Sequence, residues 1–223
     1  MKISFLGHSA VLIESGGHRV IIDPFLTGNP AAAASAAEVE ADFVVITHAH
    51  GDHWGDAMAL AKRGATIVST AEIAGYAQAQ GAEQARAMNI GGQARLPFGT
   101  VKFTPAWHSS SFPDGTYGGM PMGVILEVDG KRIYHAGDTA LFSDMSLIGA
   151  AGLDLALLPI GDNFTMGPAD ALRALELLTP KAIVPIHYDT FPLIAQDGPA
   201  FVARAAEKGF TGRALRPGES LDL

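Results

Sequence analysis

The chain contains no cysteine and no long apolar run, and each absence excludes a class of protein. Among its 223 residues there is no Cys, so a disulfide scaffold, a thiolate nucleophile and a thiolate-bound metal are excluded. No run of about 18 apolar residues occurs, so no membrane span is predicted. Zero Cys suits a reducing compartment, and we expect a cytoplasmic protein without a membrane partner.

Positive charge is also scarce. The sequence has 15 Lys and Arg against 23 Asp and Glu, which gives a formal net charge of −8. A diffuse negative field disfavours nucleic acid as a partner. It does not exclude an anionic small molecule, because a dicationic metal site reverses the local potential. We therefore expect a small-molecule substrate.

The pattern of apolar residues predicts a mixed α/β chain. Short β-rich runs dominate the first fifty residues, and Phe43–Ile46 is typical of a strand buried on both faces. Helices are predicted from Gly55 through Lys62, from a Thr70 cap through Gln80, and after Pro168. No linker rich in Pro, Ser or charge divides the sequence, so we predict a single domain over residues 1–223 with its sheet in the middle.

The strongest motif is His48-x-His50-x-Asp52-His53, which follows the predicted buried strand directly. Three imidazoles and one carboxylate within six residues are costly to desolvate unless they share a partner. A divalent cation is such a partner, and nitrogen and oxygen ligands suit zinc, manganese or iron. The alternative is a polar turn rich in His, which the specific spacing disfavours.

Three further residues each follow a predicted strand: His108, Asp138 and His187. Taken alone, each is a typical hydrogen-bonded structural residue. Taken with the His-rich motif, they are the candidates that complete a metal site, because one loop cannot supply all the ligands of two ions.

Together these residues resemble the metallo-β-lactamase superfamily. Within it, the chain is similar to the small metal-dependent hydrolases labelled UPF0173, which are related to ascorbate-phosphate lactonases. The resemblance covers nearly the whole chain. The motif at 48–53 is very specific to the superfamily, and Asn163–Gly167 and His187–Pro192 narrow the match to the subgroup.

The resemblance implies a four-layer αββα sandwich with its site along one edge. It also implies two divalent metal ions, zinc first and manganese or iron as alternatives. The ligands would divide into His48, His50 and His108 for one ion, Asp52, His53 and His187 for the other, and Asp138 as the bridge. Position 50 is His rather than the Glu of the superfamily's di-iron oxygen-reducing branch, which argues against redox chemistry.

These expectations lead to a mechanistic hypothesis. Two metals about 3.5–4 Å apart can hold a bridging water and lower its pKa to roughly 7. The resulting hydroxide would attack the carbonyl or phosphorus of a small-molecule ester, lactone or phosphodiester, and Asp52 would orient its proton. The alternatives are a non-enzymatic metal-dependent ligand sensor on the same fold and an iron oxidoreductase.

Several residues have two open interpretations at this level. His8 either donates a proton to the leaving group or is a surface or turn histidine. Asp23 either braces His48 or His50 or ends a strand, and His135 either supports a ligand or packs in a strand. Residues 109–123 form either a mobile substrate loop or a plain connection.

Two further predictions concern the pocket and the assembly. Asn163 and Thr165 either line the pocket or cap the helix that begins near Pro168. A homo-oligomer is also expected, with no interface assigned.

Overall fold

The computed structural model describes residues 1–223 and contains two seven-stranded sheets. The first sheet contains, in spatial order, β14 (Ser220–Asp222), β1 (Lys2–Gly7), β2 (Ala10–Ser15), β3 (His18–Ile22), β4 (Phe43–Val45), β5 (Thr66–Thr70) and β6 (Ala85–Met88). The second contains, in spatial order, β13 (Thr211–Gly212), β12 (Ala182–Ile186), β11 (Leu155–Pro159), β10 (Lys131–His135), β9 (Met122–Val128), β8 (Gly99–Pro105) and β7 (Gln93–Leu96).

Six helices flank the sheets. They are α1 (Gly51–Trp54), α2 (Ala57–Ala61), α3 (Ala71–Ala79), α4 (Met145–Gly149), α5 (Pro168–Leu178) and α6 (Gly198–Glu207), with a 3-10 turn at Pro192–Ile194. The longest, α5, has 11 residues, and none of the helices is a candidate membrane span.

The buried apolar side chains form three layers, one between the sheets and one on the outer face of each sheet. Inward-facing side chains such as Ile3 and Val124 form a core of 22 residues between the two sheets. The outer face of the first sheet packs on α2 and α3, with Ile67 and Ile73 in contact. The outer face of the second sheet packs on α4, α5 and α6. The predicted four-layer αββα sandwich is therefore confirmed.

Strand direction brings many carboxyl ends to one edge. In the first sheet, β1 and β3 are both antiparallel to β2, and β3 is parallel to β4. In the second sheet, β8 and β10 are both antiparallel to β9, and β10, β11 and β12 are parallel. The residues that follow β1, β4, β8, β10 and β12 are therefore the ones that can meet.

The helix predicted from Gly55 through Lys62 is present as the shorter α2, and a separate helix, α1, precedes it without having been predicted. Gly55 ends α1 with φ 39°. Its α-carbon approaches the Pro24 carbonyl so closely that any Cβ would clash. The Thr70 cap is confirmed, because its side chain accepts a hydrogen bond from the Ile73 amide of α3.

The inter-sheet core yields a test of stability. Leu126 on β9 is fully buried between the sheets. Leu126→Ala is expected to lower the free energy of unfolding by about 2–5 kcal/mol, because it removes buried apolar volume and leaves a cavity. Leu147 on α4 is 73% exposed, so Leu147→Ala is a matched control. It is expected to change the free energy of unfolding by less than about 0.5 kcal/mol. Equal urea midpoints for the two variants would contradict this packing.

Candidate metal centre

The His-rich motif occupies the sharp turn between β4 and α1. β4 ends at Val45, and His50 is the residue that precedes the first turn of α1. His48 and His53 are fully buried, whereas His50 and Asp52 are partly exposed. The turn thus directs two imidazoles into the protein and leaves two ligand candidates facing a cavity.

The second sheet supplies the other three candidates. His187 directly follows β12, Asp138 follows β10 by three residues, and His108 follows β8 by three residues. Gly137 has φ 61°, and a Cβ there would lie 2.6 Å from the Met122 carbonyl oxygen, so only glycine fits this approach. His187 itself has φ 54°, a conformation that a histidine adopts at an energetic cost.

The Asp138 carboxylate lies at the centre of the cluster. Its Oδ2 is 3.0 Å from His187 Nε2 and 3.6 Å from His108 Nε2, and its Oδ1 is 3.3 Å from His53 Nε2. The Oδ2 atom is also 3.9 Å from His48 Nε2. Four imidazoles from both sheets therefore converge on one carboxylate that is 3% exposed.

The seven predicted ligands all come together, and they do so in three overlapping groups. His48, His50 and His108 form one group whose ligand atoms lie within 4.8 Å of one another. A second such group contains Asp52, His53 and His187, together with His8. The third contains His48, His53 and Asp138. Asp138 thus lies between the other two groups.

Several buried polar atoms of the cluster have no hydrogen-bond partner within the protein. These atoms are His53 Nε2, Asp138 Oδ1 and both ring nitrogens of His187. Leaving a buried polar group unpaired costs about 1–3 kcal/mol, and the cost is larger for a charged group. His53 Nε2 and His187 Nε2 both point towards the Asp138 carboxylate, at 3.3 Å and 3.0 Å from its two oxygens, so a shared cation would satisfy these atoms. The donor set therefore fits a divalent metal ion.

Three of the histidines have lowered pKa values that favour metal ligation, whereas His53 has a raised one. Burial would lower the pKa of His53, but the carboxylates of Asp138 and Asp23 outweigh burial and raise it well above its ordinary value. Burial holds the pKa of His48 well below its ordinary value, which leaves a neutral imidazole with a lone pair. Burial alone would raise the pKa of Asp138, but His187 and His53 outweigh burial and hold it well below the usual range. Burial likewise lowers the pKa of His50 and that of His108.

Asp23 braces a different histidine from the one predicted. Its Oδ2 atom accepts a hydrogen bond of 2.8 Å from His53 Nδ1, whereas it reaches the predicted His48 only through the Thr47 hydroxyl, which lies 3.0 Å from His48 Nδ1. It also accepts from the Thr47 amide at 2.8 Å and the Thr47 hydroxyl at 2.7 Å. Parallel pairing of β3 with β4 places Asp23, at the end of β3, beside Thr47 and beneath α1. This contact fixes His53 Nε2 towards Asp138.

His8 is not a surface histidine. It is 1% exposed, and its Nε2 lies 3.1 Å from Asp52 Oδ2. Its Nδ1 lies 2.8 Å from Thr190 Oγ1. Burial lowers the pKa of His8 to about 4, so the ring is neutral and carries one N–H. An ionised Asp52 can only accept, so Nε2–H donates to Asp52 and the Thr190 hydroxyl donates to Nδ1.

The other open residues have structural contacts. His135 Nε2 lies 3.0 Å from the Ser9 carbonyl oxygen, and its Nδ1 accepts from the Gly137 amide, so this histidine packs between the sheets. Residues 109–123 are anchored by Ser110, whose Oγ accepts a hydrogen bond of 3.1 Å from the Ala49 amide. Gly118 packs so closely on Ala49 that no side chain fits there.

A cavity of about 400 Å³ opens onto the cluster. Its lining comprises His50, Asp52, His108, Ser109, Asp138, Phe164 and His187. Neither Asn163 nor Thr165 lines it, and neither caps α5, whose N-cap is Gly167 with no side-chain bond. A larger open cleft of about 570 Å³ lies beside His18 and Arg19 at the opposite edge and contains none of the seven predicted ligands.

Sequence reasoning missed two residues of this region. Phe164 lines the cavity, and Thr190 contacts His8. Thr190 lies 182 residues away from His8 in the chain, so no local pattern indicates the contact. Ser109, which also lines the cavity, belongs to the segment 109–123 that was offered as a substrate loop.

Comparison with known proteins identifies the family of this chain. Residues 18–188 match the family model of the beta-lactamase superfamily domain. A UPF0173 metal-dependent hydrolase of Thermus thermophilus is 66% identical over 223 residues, covering 100% of this chain and 99% of the relative. A UPF0173 metal-dependent hydrolase of Deinococcus radiodurans is 54% identical over 226 residues, with 100% of both chains covered.

A solved structure extends the similarity to the whole fold. Igni18, a metallo hydrolase from the archaeon Ignicoccus hospitalis, is 40% identical and superposes with a TM-score of 0.90, covering 100% of this chain and 98% of that one. The family match, the relatives of equal length and the shared fold agree with the convergent His and Asp cluster. This chain belongs to the metallo-β-lactamase superfamily and is a metal-dependent hydrolase of the UPF0173 group.

Proposed function

We propose that this enzyme hydrolyses a small-molecule ester, lactone or phosphodiester at a dinuclear metal site, with zinc as the first candidate metal and manganese or iron as alternatives. The observation that carries the proposal is the set of unpaired buried atoms on His53, His187 and Asp138, which face one another. A shared cation would satisfy these atoms together.

The geometry supports a division of the ligands between two ions. His48, His50 and His108 would hold the first ion, because their ligand atoms form one compact group. Asp52, His53 and His187 would hold the second ion. Asp138 would bridge the two, since its oxygen atoms lie within 4.0 Å of histidines from both groups.

When bound, two such ions lower the pKa of a water molecule so that it can act as the nucleophile near neutral pH. Hydrolysis adds a hydroxyl to the acyl or phosphoryl group and a proton to the leaving oxygen. Asp52 is suited to orient the proton of the nucleophile, because it lines the cavity and its side chain is 32% exposed. The other carboxylate, Asp138, is buried among histidines.

His8 is proposed to position Asp52. A proton donor must lie within hydrogen-bond reach of the substrate, but His8 does not line the cavity and Asp52 lies between them. The geometry therefore supports an action of His8 through Asp52 over direct donation of a proton to the leaving group. Thr190 completes the arrangement, because its hydroxyl holds the His8 ring from the opposite side.

The function is tested by turnover with metal-loaded protein. We expect release of product from p-nitrophenyl phosphodiesters or from members of a lactone panel, and loss of that turnover after chelation. Inertness towards every class, with tight retention of a co-purified metabolite, would overturn the proposal in favour of a ligand sensor. Stoichiometric redox-active iron with oxygen consumption would overturn it in favour of an oxidoreductase.

The division of ligands predicts metal content. We expect about two equivalents of metal in the wild type, about one in His50→Ala and in His187→Ala, and none in Asp138→Ala, as measured by elemental analysis after dialysis. All three variants should lose turnover. His18→Ala is the matched control, because His18 lies at the opposite edge, and it should keep both equivalents. Full turnover by His50→Ala that holds one equivalent of metal or none would exclude the mechanism.

The contact between Asp23 and His53 predicts an effect on metal affinity. Asp23→Asn keeps the size of the side chain but removes the charge that orients His53, and we expect metal affinity to fall about 10–100-fold. Asp170→Asn, on the exposed surface of α5, should leave affinity unchanged. Competition with a chromophoric chelator measures both variants. Equal affinities would show that Asp23 does not brace a ligand.

The His8–Thr190 contact has a sharper test, because Thr190 can be changed almost without a change of shape. Thr190→Val removes the hydroxyl that holds His8 Nδ1, whereas Thr190→Ser retains it. We expect Thr190→Val and His8→Asn to weaken binding of the second ion about 10–100-fold while the first ion stays bound. A two-phase metal titration resolves the two ions. Identical titrations of the Val and Ser variants would rule out a positioning role.

A further inference from the structure

We propose that the substrate carries an apolar group that packs on Phe164, and that it has no anionic group outside the bond that is hydrolysed. This inference rests on the proposed hydrolase function and specifies the remainder of the substrate. Two independent features of the cavity carry it, namely an exposed aromatic ring in the lining and the absence of any Lys or Arg there.

Phe164 is presented to the cavity by a rigid turn. Its side chain is 55% exposed, although it is large and apolar. The two preceding residues, Asp162 and Asn163, have φ values of 59° and 47°, and Asp and Asn are the residue types that best tolerate this conformation. The Met166 amide donates a hydrogen bond of 3.0 Å to the Thr139 carbonyl, which ties the turn to the neighbour of Asp138.

Two other exposed aromatic side chains are neighbours of site residues. Trp107 is 67% exposed and directly precedes His108 in the chain. Phe191 is 37% exposed, and its ring lies 5.7 Å from that of His8. Exposed apolar side chains beside a cavity are typical of a binding surface.

The distribution of positive charge is the second feature. Many Lys and Arg residues lie at or just before the starts of strands, as Lys2, Arg19 and Lys181 do for β1, β3 and β12. The candidate metal centre lies at the carboxyl ends of those strands, so the sheet separates the two regions. Asp52 and Asp138 accordingly form ion pairs only with histidines.

One arginine comes near the region without reaching the cavity. Arg216 lines a separate recess behind His8, where its guanidinium is held by Glu219 at 2.6 Å. A carboxylate or phosphate on the substrate, away from the metals, would therefore lose its hydration without gaining a cationic partner. The cavity thus selects against a second anion, whereas an apolar group gains contact with Phe164.

Matched substrate pairs test this selection. One pair is p-nitrophenyl hexanoate and mono-p-nitrophenyl adipate, which differ in a terminal methyl against a carboxylate. The other pair is the hexyl and the 5-carboxypentyl diesters of p-nitrophenyl phosphate. With metal-loaded wild type, we expect kcat/KM to be at least about tenfold higher for the uncharged chain in whichever pair is hydrolysed.

Variants at Phe164 locate the effect. Phe164→Lys places a cation where the lining has none, and we expect it to shift the ratio of kcat/KM about tenfold towards the carboxylated substrate. Phe164→Leu keeps an apolar surface and should retain the wild-type preference. Leu147→Lys adds the same charge at an exposed position outside the cavity, and it should also retain that preference.

The outcomes separate this inference from the proposed function. Equal or better hydrolysis of the carboxylated substrate by wild type would overturn the inference and leave the hydrolase function intact. The same shift in Phe164→Lys and Leu147→Lys would also overturn it, because the effect would then arise from net charge alone. Absence of turnover for these four substrates and for the lactone panel would overturn both proposals.

Discussion

The burial of the Asp138 carboxylate among imidazoles is the constraint on which the rest of the architecture depends. Charged and polar groups that leave water need a partner, and the atoms of His53, His187 and Asp138 that face one another have none within the protein. A cation at a position that both sheets define would satisfy them together. The αββα sandwich is therefore more than a scaffold, because the relative placement of its two sheets sets the distances between ligands from β4 and ligands from β8, β10 and β12.

Hydrogen bonds across the inter-sheet seam maintain that placement. The turn between β1 and β2 contributes two of them, because the His8 carbonyl accepts from the His187 amide at 2.7 Å and the Ser9 carbonyl lies 3.0 Å from His135 Nε2. Asp23 supports the cluster from below through Thr47 and His53. These buried hydrogen bonds hold the ligand-bearing turns in place, where a displacement of about one ångström would separate ligand atoms. They explain why polar residues lie between two otherwise apolar sheet faces.

Much of this could be predicted because the signals are local. The spacing of His48, His50, Asp52 and His53 within one turn indicates a metal site, and the strand before it is an unbroken apolar run. The break between α1 and α2 was not predicted, since Gly55 is required there by a close approach of the Pro24 carbonyl from another segment. The partner of Asp23 was misjudged for a similar reason, because parallel pairing of β3 and β4 decides which histidine it reaches.

The sequence by itself determined the ligand types, the layered α/β architecture and the exclusion of thiolate chemistry, because residue identity and apolar periodicity are written in short segments. Only the tertiary structure decided that the seven predicted ligands meet, that His8 contacts Asp52 and Thr190, and that Phe164 faces a cavity without Lys or Arg. These features depend on contacts between residues far apart in the chain. Such contacts are set by how the sheets pack and where their strands end, and no local pattern encodes them.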